Sequence, residues 1–323
     1  MARIEPRHCG QTTIVGRRAL IQCMREAVCC GNGSVISLPP DTNLITQDYT
    51  LSYTAPLPWT LDSLDLDRIE LSRIRHNEDM FFLLCSSSFV ESGSDLYAQN
   101  LIDHFAGDQE LQTWLSQHWE HEELQHGRAL AAYVRTVWPE FDWDSGFKAF
   151  WSDYGAVCTT AELESCRGLE LAARCVVETG TASLYRALNE ITDEPVLKQL
   201  THHIKSDEVR HFKHFYQHYR LYREREGFGR YKVFRAILRR VREVKREDSD
   251  IALRHVFNQC YPHHLGNEAE FRRISDRAQG LLRRHIPAEM TVKMLLKPLE
   301  LPMRLQNSLQ KPLARIAERL FLH

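Results

Sequence analysis

The stretch "KSDEVRHF", residues 205–212, places a glutamate and a histidine three positions apart, at Glu208 and His211. On a helix, positions i and i+3 share one face, so the carboxylate and the imidazole of such a pair can act together. A single pair of this kind is most often an exposed charged turn. The rest of the chain decides between that interpretation and half of a metal site.

The same pattern occurs a second time, in "EHEELQHG" at residues 120–127, where Glu123 precedes His126. Upstream of each pair lies one of two similar segments, "FVESGSDLYAQNL" with Glu91 and "VVETGTASLYRAL" with Glu178. Both segments read Val-Glu-[Ser/Thr]-Gly-[Ser/Thr] and continue to Leu-Tyr. The sequence therefore predicts an internally duplicated pair of helical hairpins.

The spacing of the glutamates gives this duplication a geometric meaning. Glu91 and Glu123 are 32 positions apart, and Glu178 and Glu208 are 30 positions apart. Helix-breaking residues lie near both midpoints, in "FAGDQ" and "TDEPV". In an antiparallel hairpin, residues equidistant from the turn lie at the same height. Two such hairpins in a four-helix bundle would bring four carboxylates and two imidazoles to one level.

The predicted fold class is all-α, because apolar residues recur at helical spacing and extended alternating runs are nearly absent. The four long predicted helices span residues 64–105, 108–137, 160–191 and 195–225. A capping box from Thr159 to Glu162 is predicted to open the third. Three regions are predicted: a loosely ordered N-terminal extension at 1–58, the bundle at 59–226 and an accessory basic helical region at 227–323.

Six residues are candidate metal ligands. They share inward-facing positions among apolar or small residues: Glu91, Glu123, His126, Glu178, Glu208 and His211. Burying four carboxylates without cations would be costly, and their pKa values would rise until most were protonated. Two divalent cations remove that cost, and this ligand set suits iron, with manganese as the alternative.

The bulk composition excludes several other classes of protein. The formal net charge of −2 is not that of a globally basic nucleic-acid-binding protein. The nine cysteines include no CxxC pair, so neither a zinc ribbon nor a disulfide framework is indicated. No uninterrupted apolar run exceeds six residues, and the N-terminus lacks the apolar core of a secretory signal. A cytoplasmic location is expected, with attachment to the periphery of a membrane as an alternative.

Between residues 64 and 225 the sequence resembles the ferritin-like di-iron carboxylate superfamily. The motifs "EELQHG" and "DEVRH" are most similar to those of the acyl-carrier-protein desaturase branch, whose second and fourth core helices carry such motifs. The resemblance implies a ferritin-like bundle, two iron ions held by the six candidate ligands with Glu123 and Glu208 bridging, and O2 activation at the reduced pair. It also implies a homodimer and a separate electron donor such as a ferredoxin.

Three further residues are expected to act beside the ligands. Glu122 and Asp207 each lie four positions before a ligand histidine, where they can hydrogen-bond the outer nitrogen of the histidine on the opposing helix. The alternative for Glu122 is an exposed acid. Thr181, three positions after Glu178, is similar in place to a threonine of the desaturases, which implies a route for protons to bound oxygen. The alternative is a hydroxyl bonded to its own helix.

Residues 228–246 form a predicted basic amphipathic helix, and its apolar stripe contains Tyr231, Phe234, Leu238 and Val241. The basic side is a candidate docking surface for an acidic acyl carrier protein. The arginines of that surface are Arg230, Arg235, Arg239, Arg240 and Arg242. The alternatives are a solvated helix face and a membrane-binding surface.

Three functions follow as hypotheses. The first is an O2-dependent oxidase or oxygenase that acts on an unactivated C–H bond, as a desaturase or hydroxylase of a carrier-bound acyl chain. The second is a small-molecule C- or N-oxygenase in a biosynthetic pathway, although the third histidine of the N-oxygenase branch would fall at Ile204. The third is a non-catalytic ferritin-like protein that binds iron or scavenges oxidants.

Overall fold

The computed structural model describes residues 57–244 and 248–322, and every regular element in those two ranges is a helix. The prediction of an all-α four-helix bundle followed by further helices is confirmed. The N-terminal extension predicted at 1–58 lies outside the described residues as far as residue 56. No helix of the described ranges is both long and apolar enough to cross a membrane.

The α-helices of the described residues are numbered here in chain order. The first five are α1 (Leu71–Ile74), α2 (Glu78–Ser92), α3 (Ser94–His104), α4 (Gln109–Trp114) and α5 (Glu120–Val137). They are followed by α6 (Trp143–Val157), α7 (Arg167–Ile191) and α8 (Pro195–Glu226). The chain continues with α9 (Arg230–Val244), α10 (Asp248–Cys260), α11 (Glu268–Arg283), α12 (Ala288–Leu296) and α13 (Met303–Leu322).

Four of these helices form the core bundle that carries the candidate ligands. Helix α2 packs along α5 as one pair, α7 packs along α8 as the other, and the two pairs meet through α5 and α8. The core between them contains fully buried side chains from all four helices, among them Leu84, Leu130, Leu188 and Ile204. The duplicated hairpins predicted from the sequence are therefore present.

The first predicted helix, at 64–105, is wrong in its extent because the chain interrupts it twice. The side chain of Asn77 accepts a hydrogen bond from the backbone N–H of Met80, and this cap starts α2 as a new helix. Gly93 then separates α2 from α3, two residues after Glu91. The straight part of the first core helix is thus α2 alone.

The capping box predicted for the third helix, at 160–191, is also wrong. Residues Thr160–Glu162 form a separate 3-10 turn, and α7 begins only at Arg167. The carboxylate of Glu226 accepts a hydrogen bond of 3.0 Å from the backbone N–H of Gly168. The N-terminus of α7 is therefore capped from the far end of its partner helix rather than by a local motif.

The other two predicted helices match the structure closely. The helix predicted at 108–137 is present as α4 and α5, joined by a five-residue π-helical turn at Leu115–Trp119. The helix predicted at 195–225 is α8, and the carboxylate of Glu194 caps it by accepting from two backbone N–H groups of its first turn. Helix α8 ends at Gly227, which takes the left-handed conformation with φ of 65°.

The remaining helices cover the bundle. Helix α10 packs against α2 and α6, and α12 packs against α7 and α13. Helix α9 packs against α7 and buries Val233 and Ile237. Two members of the apolar stripe predicted for this region, Tyr231 and Phe234, lie on the exposed side of α9 instead.

The predicted docking surface on α9 requires a correction. Arg240 is buried, and its guanidinium forms an ion pair of 3.3 Å with the buried carboxylate of Glu170. Arg239 pairs with Glu164 at 3.1 Å, and Arg230 donates hydrogen bonds to two backbone carbonyls. Arg240 is therefore unavailable to a partner. Arg235 and Arg242, the remaining arginines of the predicted surface, are exposed.

Candidate metal centre

Each core helix contributes to one buried cluster of carboxylates and imidazoles. The contributing residues are Glu91 from α2, Glu123 and His126 from α5, Glu178 from α7, and Glu208 and His211 from α8. Their relative exposure runs from 0% for His126 to 7% for Glu123. The structure thus brings all six candidate ligands together at one level of the bundle.

The cluster consists of two overlapping groups of four residues. Within each group, one ligand atom from every residue lies within 4.8 Å of the others. The first group alone contains Glu91 and His126, the second alone contains Glu178 and His211, and both contain Glu123 and Glu208. The arrangement is that of two adjacent ion sites with two shared carboxylates.

The two shared glutamates are oriented to bridge a pair of ions. Glu208 turns Oε1 toward Nδ1 of His126, at 3.3 Å, and Oε2 toward Nδ1 of His211, at 3.9 Å. Glu123 turns Oε2 toward Nδ1 of His126, at 3.9 Å, and Oε1 toward Nδ1 of His211, at 3.0 Å. Each carboxylate therefore offers one oxygen to either side of the cluster.

The unshared glutamates complete the two sides. Oε2 of Glu91 lies 3.9 Å from Nδ1 of His126, and Oε2 of Glu178 lies 3.4 Å from Nδ1 of His211. The buried phenol of Tyr185 donates a hydrogen bond to Oε1 of Glu91. This contact leaves Oε2 of Glu91 as the oxygen that faces the cluster, and the sequence analysis assigned no role to Tyr185.

A carboxylate lies behind each ligand histidine, at the distances expected for hydrogen bonds. Nε2 of His126 is 3.0 Å from Oδ2 of Asp207, and Nε2 of His211 is 2.7 Å from Oε2 of Glu122. Because each Nδ1 faces the cluster, each Nε2–H donates to the carboxylate of the opposite hairpin. Arg210 donates to both acids and lies 3.0 Å from Glu122, so the two contacts are linked.

A tryptophan that was not predicted from the sequence supports this arrangement. The indole N–H of Trp59 donates a 2.7 Å hydrogen bond to Oδ2 of Asp207, and its ring stacks on His203 with centroids 5.1 Å apart. The backbone carbonyl of Trp59 accepts from Gln125 at 2.9 Å. Trp59 precedes the first helix and belongs to no motif, so nothing in the sequence indicates it. Arg210 was not predicted either, although its position three residues after Asp207 is a signal that could have indicated it.

Thr181 lies at the edge of the cluster. Its hydroxyl donates to Oε2 of Glu208 at 2.6 Å, and it also lies 3.3 Å from the backbone carbonyls of Val177 and Glu178. Thr181 is half-buried although the ligands are fully buried. A methyl group added at the neighbouring Gly180 would meet no atom within 4 Å. Helix α7 therefore borders open space at Gly180.

Glycine is required where α2 and α5 cross. A methyl group added at Gly127 would lie 2.6 Å from the backbone nitrogen of Ser92 and 2.7 Å from its Cα. Gly127 follows His126, and Ser92 follows Glu91. The close contact of the two backbones therefore holds these two ligands at a fixed separation.

Burial favours the uncharged form of the glutamates and histidines of the cluster, whereas hydrogen bonds to carboxylates favour the charged form of the histidines. Burial raises the pKa of Glu178 to about 8, and burial with the charges of Glu123 and Glu208 raises the pKa of Glu91 well above its ordinary value. Burial alone would lower the pKa of His126, but the hydrogen bond to Asp207 and the nearby carboxylates of Glu208 and Glu123 raise it well above the ordinary value. Without cations, the cluster therefore retains protons that metal ions would displace.

The unsatisfied polar atoms of the cluster fit bound metal ions. Four buried atoms that point inward form no hydrogen bond with any described residue: Nδ1 of His126, Nδ1 of His211, Oε2 of Glu178 and Oε1 of Glu208. Such atoms are costly in a protein interior unless a ligand satisfies them. Imidazole and carboxylate donors suit iron and manganese. The fold and the cluster together define a class: a helical bundle with an internally duplicated Glu4His2 donor set for two metal ions.

No protein-family model matches the chain, and no curated protein matches it. Solved structures of R2-like ligand-binding oxidases align with it at low identity. One mutant with an aerobically reconstituted Mn/Fe cofactor is 14% identical, with a TM-score of 0.38, over 81% of this chain and 88% of that chain. A second, also reconstituted aerobically, is 13% identical, with a TM-score of 0.34, over 87% of this chain and 98% of that chain. A third, reconstituted anaerobically, is 12% identical, with a TM-score of 0.36, over 81% and 88%.

Proposed function

We propose that the protein is an O2-dependent oxidoreductase with a dinuclear metal centre. The observation that carries the proposal is the pair of shared carboxylates, because Glu123 and Glu208 each turn one oxygen toward His126 and the other toward His211. This arrangement suits two ions held side by side. Two iron ions, with manganese as the alternative metal, supply the redox equivalents that O2 activation requires.

The residues around the centre have separate tasks in this proposal. Asp207 and Glu122 keep a proton on Nε2 of their histidines, so that Nδ1 is the free donor atom. The hydroxyl of Thr181 holds a proton on the side of Glu208 that is nearest to solvent. Thr181 is therefore placed to pass protons to the reacting oxygen. The buried aromatic and aliphatic core around the ligands excludes water from the other sides.

The reaction that we propose is desaturation or hydroxylation of an unactivated C–H bond in an acyl chain. The support is the composition of the site, in which Ile204 occupies the position of the additional histidine expected for an N-oxygenase. Ile204 is fully buried, and neither of the two histidines that precede it, His202 and His203, joins the described metal cluster. One of them, His203, stacks on Trp59 instead.

The proposal includes two partners. Electrons come from a separate donor of the ferredoxin type. If the acyl chain is presented on an acidic carrier protein, the carrier contacts Arg235 and Arg242 of α9, which are exposed. It does not contact Arg240, which is buried against Glu170.

The test is the reaction of the reduced, metal-loaded protein with O2. The full-length chain is loaded anaerobically with Fe²⁺, mixed with O2 and followed by stopped-flow absorbance, with and without an acyl chain on acyl carrier protein. We expect a transient visible band whose decay accelerates when the acyl chain is present. His211→Ala removes a ligand and should abolish the band, whereas His202→Ala, at an exposed position of the same helix, should retain it.

Two other results would change the functional assignment. Slow oxidation of the iron, with no transient band and no effect of any substrate, would contradict the proposal and favour an iron-binding protein. Acceleration by small phenols or amines but not by acyl chains would favour a small-molecule oxygenase instead.

A further inference from the structure

The C-terminal helix α13 has an apolar stripe on its outer side in addition to its buried side. Its buried side is centred on Ala314, which packs with Val292 and Ala288 of α12. The outer side carries Leu305 and Ile316, which are 44% and 51% exposed. They are eleven positions apart, so they lie on one face of the helix. The packing of α13 on the protein therefore covers one apolar side of the helix and leaves this second apolar stripe exposed.

A row of basic side chains borders this outer stripe. Its members are exposed and recur at helical spacing: Arg304, Lys311, Arg315 and Arg319. At 3.6 residues per turn, all four cations project to the same side of the line through Leu305 and Ile316, so the charges lie along one edge of the stripe. No ion pair with another described residue neutralises any of these four cations. The outer side of α13 thus combines uncovered apolar area with four exposed cations against one exposed acid, Glu318.

The first turn of α9 lies beside the segment that leads into α13. Arg230 donates hydrogen bonds of 3.1 and 3.0 Å to the backbone carbonyls of Leu299 and Glu300, just before α13 begins. Next to it, Tyr231 is 71% exposed, and Met303 at the start of α13 is 77% exposed. The start of α9 therefore lies next to the segment before α13, and each helix has an exposed apolar side chain in its first turn. We call the outer sides of α13 and of the first turns of α9 the basic apolar surface.

We propose that the basic apolar surface binds the surface of an anionic membrane. Apolar side chains beside a row of Lys and Arg on an amphipathic helix can enter the headgroup region while the cations contact lipid phosphates. Tyrosine favours this water–lipid boundary, which fits the exposure of Tyr231. Because no described helix is able to span a membrane, the contact would lie at the membrane surface.

Charge distinguishes this occupant from a second copy of the chain. In a symmetric dimer formed through this surface, the arginines around Arg315 would face the same residues of the other copy. Like charges would then be buried together, which opposes association. An acidic protein is the remaining occupant that the charge allows, and its binding in place of a membrane would contradict the proposal.

The test is co-sedimentation of the full-length protein with lipid vesicles. One set of vesicles is phosphatidylcholine alone, and in the other about a third of the lipid is phosphatidylglycerol. We expect binding to the anionic vesicles only, and we expect it to weaken as salt is raised. The measurement does not depend on metal loading or on O2, so its result is independent of the proposed oxidoreductase function.

Paired variants locate the contact. Arg315→Glu should weaken binding about tenfold, because it replaces an attraction with a repulsion, whereas Arg128→Glu, at an exposed position of α5, should not. Ile316→Glu should also weaken binding, whereas Leu265→Glu, at a position that is 65% exposed, should leave it unchanged. All four positions are exposed, so the folded structure should tolerate each change.

Three results would overturn the proposal. The first is no binding of the wild-type protein to anionic vesicles. The second is an equal loss of binding in the variants and their controls, which would mean that only overall charge matters. The third is that the wild-type protein binds purified acyl carrier protein but not vesicles, and that Arg315→Glu abolishes this binding. That result would assign the surface to an acidic protein.

Discussion

Nε2 of His126 and Oδ2 of Asp207 lie 3.0 Å apart, although the two residues are 81 positions apart in the sequence and belong to different hairpins. The contact joins the two halves of the duplicated bundle at the level of the cluster. It also fixes which imidazole nitrogen faces inward. Although burial would raise the pKa of Asp207, its hydrogen bond with His126 holds that pKa at about 2, so this acid stays charged at neutral pH.

Replacing Asp207 with asparagine should weaken metal binding without unfolding the protein. Asn keeps the shape of the side chain but removes the negative charge that orients the His126 imidazole. Loss of such a contact typically lowers metal affinity by about tenfold to a hundredfold. Competition with a chelator measures the change, and Asp193→Asn, at an exposed position, is the control. Equal affinity in the two variants would show that the contact has no part in metal binding.

Alanine at Gly127 should destabilise the fold, whereas alanine at Gly180 should not. The added methyl group at Gly127 would press on the backbone of Ser92 and separate α2 from α5, at a cost of about 2 kcal/mol. At Gly180 the methyl group would meet open space, and the better helix propensity of alanine would stabilise by up to about 1 kcal/mol. Urea unfolding of the metal-free proteins measures both. Similar unfolding free energies for the two variants would contradict the close crossing of these helices.

Valine at Thr181 should separate metal binding from reaction with O2. The substitution preserves the shape of the side chain and removes the hydroxyl that donates to Glu208. Metal content should therefore stay unchanged while the O2-dependent step slows by about tenfold or more, since proton transfer loses its group. In the control Thr179→Val, the lost hydroxyl bonds only its own helix, at the Cys175 carbonyl, and the rate should be retained. A normal rate in Thr181→Val would remove the proton-delivery role.

The acid sensitivity of the fold should depend on His214. Burial, reinforced by the neighbouring histidines His218, His211 and His118, lowers the pKa of His214 from 6.5 to about 3. Above pH 6.5 this imidazole is neutral in the folded and the unfolded chain. Below that pH only the unfolded chain gains the proton, so the free energy of unfolding falls by up to about 1.4 kcal/mol per pH unit.

Removing this imidazole should flatten the pH dependence. His214→Phe keeps an aromatic ring against Trp114, whose centroid lies 3.8 Å from that of His214. Urea unfolding at about pH 7 and about pH 5 should show a smaller loss of stability in this variant than in the wild type, by about 1–2 kcal/mol. His202→Phe, at an exposed position, is the control. The same loss in all three proteins would contradict the assignment.

Much of the site could be predicted because its residues repeat. The interval from Glu178 to Glu208 fixes the height of both residues in a hairpin, and the three-residue step from Glu208 to His211 fixes their shared face. These rules are local and survive errors in helix bounds. The contact of Asp207 with His126 followed from the same register.

The parts that could not be predicted depend on contacts distant in sequence. Helix α2 begins at the cap provided by Asn77, and α7 is capped by Glu226 from the other end of its partner helix. Trp59 reaches Asp207 across 148 positions of sequence without any motif. The burial of Arg240 depends on Glu170, which local periodicity does not reveal. Tertiary contacts therefore decided these features against local preference.

Anaerobic titration of the metal-free, full-length protein with Fe²⁺ tests the central claim most directly. The structure predicts tight binding that saturates at two ions per chain, because the donor atoms form two groups with Glu123 and Glu208 in common. In His126→Ala and in His211→Ala, saturation should fall to one ion or fewer. Wild-type protein that binds fewer than two ions, or two ions that both histidine variants still bind, would contradict the dinuclear site.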